Sequence, residues 1–114
     1  MFDKLKEMFE TFSSSKSGAK DPTLRTLTFR TAIENVEREI LIMLNDLKYR
    51  EIKTNIYHEI FATKAGYEIT CHMFSDRTDT HVDFDVYGPT HTGKTRKALR
   101  YLLHETKKRL AMYE

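Results

Sequence analysis

The chain has 114 residues, a mass of 13.5 kDa and a formal net charge of +2 from 19 basic and 17 acidic side chains. That length suits one domain and excludes a second of ordinary size, and so balanced a charge names no partner. With 39% apolar residues the chain can build a core, which excludes disorder throughout. The single cysteine, Cys71, excludes an internal disulfide and a cysteine-rich zinc site. No apolar run reaches the roughly 18 residues of a membrane span, and the first residues lack a signal peptide's apolar core, so a cytoplasmic domain is expected.

Residues 1–12 predict an amphipathic helix, with Phe2, Leu5, Met8, Phe9 and Phe12 on one stripe. Residues 13–22, SSSKSGAKDP, predict a flexible tether. An apolar stripe on a tether must dock, and these five side chains are the candidates for self-association or for a protein partner. Acidic residues among the lysines argue against a membrane surface. The folded body spans 23–114. It opens with a β-prone run at 24–29, followed by a helix over 31–47 capped by Thr31 with Glu34 three residues later. Ile33, Val36, Ile40, Leu44 and Leu47 line its core face, widened by Leu41, Ile42 and Met43. Strands are expected at 49–53, 56–63, 67–74 and 80–87. In the last two, Ile69, Cys71 and Met73 alternate with polar residues, as do Val82, Phe84 and Val86. Matching these apolar faces places His72 beside His81 and leaves Ser75–Thr78 as a four-residue turn. A final helix covers 92–113. The fold class is α+β: an antiparallel four- or five-stranded sheet with two helices on one face, in the order β-α-β-β-β-β-α.

This order resembles the single unit of the TATA-binding-protein-like, or helix-grip, architecture over residues 24–113. The resemblance implies the fold. Its members include DNA-binding and hydrophobic-ligand-binding proteins, so it implies no one function.

Residues 88–95 read GPTHTGKT, a full match to G-x-x-x-x-G-K-[ST] between a strand and a helix. The string is similar to the Walker A loop, whose pattern would give Gly88 and Gly93 the turn around a phosphate, Lys94 the β/γ oxygens and Thr95 the Mg²⁺. Against this, 19 residues follow Thr95, and the final helix is expected to use them, leaving no strand for a Walker B carboxylate. The approaching HVDFDVY alternates, whereas a P-loop strand is apolar on both faces. A plain strand-to-helix turn explains the glycines equally well.

The local charge is uneven. Residues 31–47 and 64–86 each carry a net −3, and residues 87–114 a net +5. Arg96, Lys97, Arg100, His104, Lys107 and Lys108 share one arc of the final helix and are candidates for nucleic-acid phosphates. On the open sheet face, Glu68, Asp83 and Asp85 would repel DNA. The same face offers His72, His81 and Asp83 as a candidate metal set. No side chain has the surroundings of a catalytic nucleophile or general acid, and no cofactor is expected. The sequence therefore predicts a non-catalytic interaction or binding module that self-associates. The alternatives are nucleic-acid binding through the final helix and phosphate or nucleotide binding at 88–95.

Overall fold

The computed structural model describes residues 12–14, 26–88 and 94–114, the first three by their backbone. The elements are β1 (Phe12–Ser14), β2 (Leu27–Phe29), α1 (Ile33–Asp46), β3 (Arg50–Thr54), β4 (Glu59–Lys64), β5 (Tyr67–Asp76), β6 (Asp79–Tyr87) and α2 (Lys94–Arg109), then a 3₁₀ turn at Ala111–Tyr113. From β2 onward this is the expected α+β order. β3, β4, β5 and β6 form an antiparallel meander, and β2 adds to the outer edge of β6.

Phe12–Ser14 depart from the sequence pattern. Where the pattern puts the end of a helix and the start of a tether, these residues form a short strand antiparallel to β6, with Phe12 opposite Tyr87 and Ser14 opposite Asp85. The remainder of that helix and tether, residues 1–11 and 15–22, lies outside the described residues, and so do the candidates Phe2, Leu5, Met8 and Phe9.

One face of the sheet is the core. Ile60 and Ala62 of β4, Ile69, Cys71 and Met73 of β5, and Val82, Phe84 and Val86 of β6 point to it, as period-2 alternation requires. They meet Val36, Ile40, Met43 and Leu44 of α1 and Leu99, Leu102 and Leu103 of α2 in a single cluster. Thr106 on α2 is buried and donates to the Leu102 carbonyl oxygen at 2.7 Å, which satisfies its hydroxyl inside the helix. Ile42 does not widen the α1 face as its sequence neighbours suggest and is 44% exposed. The expected Thr31 cap is also absent. Helix α1 begins after Ala32, and Thr31 Oγ1 accepts from Asn35 Nδ2 instead.

The largest correction is the β5–β6 register. His72 lies opposite Asp83, and Phe74 opposite His81, with a two-residue turn at Arg77 and Thr78. A shift of two residues keeps every side chain on its own face, so matching of apolar faces does not distinguish the two registers. Arg77 takes the left-handed conformation that the short turn demands, at φ 60. Arg77→Gly should relieve that strain and raise unfolding free energy by about 0.5–1 kcal/mol, measured by denaturant titration. A loss of stability would contradict the two-residue turn.

Candidate functional site: a basic groove beside an edge strand

The Walker-like string is only partly within the described residues, because Gly93 falls among residues 89–93. Gly88 follows β6 in close packing. A Cβ there would lie 2.6 Å from the Tyr67 ring and 2.7 Å from the Thr95 methyl group. That contact explains the glycine without an anion. Thr95 is 1% exposed, and Lys94 points to solvent. Gly88→Ala should cost about 1–3 kcal/mol through overpacking, seen as a lower melting temperature. An unchanged melting temperature would mean that Tyr67 and Thr95 do not close over this position.

On the open sheet face the histidines are engaged separately. His72 is held between strands: Nδ1 lies 3.0 Å from Glu59 Oε2 on β4, and Nε2 lies 3.0 Å from Asp85 Oδ2 on β6. Both contacts are hydrogen bonds together only when both ring nitrogens carry protons. His81 faces elsewhere, with Nδ1 2.8 Å from Thr28 Oγ1, Nε2 3.6 Å from Asp76 Oδ2, and its ring 4.9 Å from that of Phe74. Asp83, opposite His72, is 3% exposed and accepts from Thr26 Oγ1 at 2.6 Å. The proposed trio of His72, His81 and Asp83 is thus not assembled as the sequence register implies. Among the described residues no group of three His, Cys, Asp or Glu side chains is arranged to hold a metal ion.

Cys71 lies on the opposite, core face. Burial pushes its thiol well above the ordinary range, and the Asp83, Glu37 and Asp85 charges act in the same direction. The unfolded chain therefore releases this proton first. The contribution to stability is complete below the ordinary value of 9.0 and is lost as pH rises beyond it. At pH 8 a disulfide reagent should label Cys71 only at the rate of unfolding. Fast labelling of the native protein would show an open path to the thiol.

The basic residues of α2 behave differently from these buried groups. Arg96, Lys97, Arg100, His104, Lys107 and Lys108 are all exposed. Arg109 complements the acidic α1 by an ion pair, donating to Asp46 Oδ2 at 2.9 Å, and donates to Glu105 Oε1 of its own helix at 3.3 Å. The Asp46 hydrogen bond, chiefly, raises its pKa.

Three of the exposed residues border a groove of about 870 Å³ between α2 and β2. Leu27, Phe29 and Leu103 give it apolar walls. Arg100, His104 and Lys107 stand along the helix side at i, i+4 and i+7, and Arg30 stands at the end of β2. The groove's acidic residues, Asp79 and Glu114, belong to the Arg30 end. Asp79 precedes Thr80, the partner of Phe29, and Glu114 follows Tyr113, whose carbonyl oxygen accepts from the Arg30 amide at 2.7 Å.

No family model and no curated protein matches this sequence. The site therefore has to be read from its own chemistry. The helix side of the groove is visible in the sequence, but Arg30 and the strand wall are not. The only local signal was the adjacency of Arg30 to a short β-prone run, and periodicity does not show which strand lies at an edge. No helix among the described residues is long and apolar enough to cross a membrane.

Proposed function

We propose that the protein is a non-catalytic binding module that seats an anionic partner in the groove between β2 and α2. The observation that carries this reading is one concave site with apolar walls and a cationic side, formed by Arg100, His104 and Lys107 with Arg30 at its end. Apolar walls supply contact area, while charged groups at the rim set the sign of the ligand and speed its encounter. A cytoplasmic setting accords with the lone reduced Cys71.

Titration of the labelled full chain with polyglutamate should shift the amides of residues 27–30 and 100–107. The double variant Arg100→Ala, Lys107→Ala should weaken binding about tenfold, from two partly screened charge contacts. The reading fails if polyglutamate leaves the groove amides unmoved.

A second reading, nucleic-acid binding, is favoured by the exposure of all six basic residues on α2. Lys97 and Lys108 share the arc but do not line the groove, which separates the two readings. Replacing both with Ala would weaken binding of a short DNA duplex and lower its salt dependence, while groove binding of polyglutamate persists.

A further inference from the structure

We propose that His72 is a proton-operated clamp on the β3–β4 turn. With both ring nitrogens protonated, it ties Glu59 of β4 to Asp85 of β6 and, through Glu59, holds that turn in one conformation. On losing its Nδ1 proton to water it releases Glu59, and the turn loosens. The clamp lies on the open sheet face and does not rest on the groove.

His72 sits on β5, the strand between the two it joins, opposite Glu59 on one side and Asp83 on the other. Its Nδ1 lies 3.0 Å from Glu59 Oε2 and its Nε2 3.0 Å from Asp85 Oδ2. Ionised carboxylates accept and do not donate, so only imidazolium satisfies both contacts. Neutral imidazole in water favours the proton on Nε2, which leaves the Nδ1 lone pair against Glu59 Oε2. All three side chains are half-buried, so salt screens these contacts less than it screens exposed pairs. The other charged groups on this face are engaged or stand further off. Asp83 of β6 accepts from Thr26 Oγ1 at 2.6 Å, and His81 of β6 lies 2.8 Å from Thr28 Oγ1. Lys53 of β3 pairs in register with Phe61, two residues along β4 from Glu59. Helices α1 and α2 pack on the opposite face.

The same carboxylate reaches the turn. Glu59 Oε1 accepts from Asn55 Nδ2 at 3.0 Å. Asn55 Oδ1 in turn accepts from the Tyr57 amide at 2.9 Å and from the Glu59 amide at 3.2 Å. One asparagine side chain thus closes the turn, and Glu59 fixes how that side chain is rotated. The turn is closed against strain, with His58 at φ 58. The Met73 amide donates to the His58 carbonyl oxygen at 3.2 Å, which keeps β4 paired with β5 and confines the loosening to residues 55–57. Ile56 and Tyr57 are large and exposed there, so a proton at His72 sets the order of an apolar tip. His58, the other imidazole of the turn, lies 3.6 Å from Glu37 Oε2 of α1 and serves as the control.

The test uses the full chain at pH 5 and pH 8, which bracket the range in which imidazole titrates. Ring ¹⁵N shifts should show His72 protonated on both nitrogens at pH 5 and bare at Nδ1 at pH 8. Over that interval amide-exchange protection, corrected for the intrinsic rate, should fall about fivefold at Tyr57 and Glu59 and hold in β5. His72→Gln offers a donor that does not titrate and should remove this pH dependence. Glu59→Gln should remove it too, because its carbonyl still accepts from Asn55 while its amide donates to the bare Nδ1. His58→Asn tolerates the left-handed conformation and should leave the dependence intact. A fall that survives in His72→Gln or Glu59→Gln, or is lost in His58→Asn, would overturn the clamp. So would Nδ1–H retained at pH 8, or wild-type protection equal at the two pH values. Should His72→Gln fail to fold, the ring shifts and Glu59→Gln decide between these outcomes.

Discussion

Strand β6 is hydrogen-bonded on both edges, and the rest of the molecule is arranged by that fact. Its inner edge pairs with β5 from Asp79 to Tyr87, and its outer edge carries β2 and β1 end to end. Val82, Phe84 and Val86 fill one side of it with core. On the other side, Asp83 is enclosed deeply enough that its carboxylate needs the Thr26 hydroxyl. β1 and β2 take the outer edge of β6, and among the described residues β2 pairs with no further strand.

The two sheet faces divide the chemistry between them. The helix-covered face is apolar and holds its one thiol neutral. The open face bears a hydrogen-bonded polar array in which each histidine is committed to neighbours, His72 to Glu59 and Asp85 and His81 to Thr28. Such engaged side chains tie strands together more readily than they coordinate an ion, because their lone pairs and protons are already in use. Among the described residues, exposed basic side chains are dense on α2. There Arg109 joins the acidic α1 through Asp46, and the other basic side chains of the arc are exposed.

Most of this fold was legible in the amino-acid pattern, and the exceptions have particular causes. Ile69, Cys71 and Met73 against Val82, Phe84 and Val86 identify two strands and their shared face. The i, i+3, i+4 spacing of Leu99, Leu102, Leu103 and Thr106 identifies the helix that covers them. The register of the hairpin was not legible, because alternation repeats every two residues and SDRTD contains no glycine to mark the residue that turns. That one shift moved His72 from His81 to Asp83, and with it the supposed metal set. At the candidate site, the cationic spacing of Arg100, His104 and Lys107 was visible. The partner wall, some seventy residues earlier in the chain, was not, since a three-residue strand has too few positions to declare its neighbours. The string GPTHTGKT shows how a motif and a packing demand can coincide. Its Gly88 matches a motif, yet the atoms that require it are the Tyr67 ring and the Thr95 methyl group.

The Arg30–Tyr113 hydrogen bond that closes one end of the groove joins two parts of the chain that are far apart in sequence. The β3–β6 meander is built from successive neighbours joined by short turns, so its contacts are local and can form early during folding. The groove, by contrast, exists only after α2 has returned to lie beside β2. Two of its walls, Phe29 and Leu103, belong to the core cluster, so the site keeps its shape only while that core stays closed.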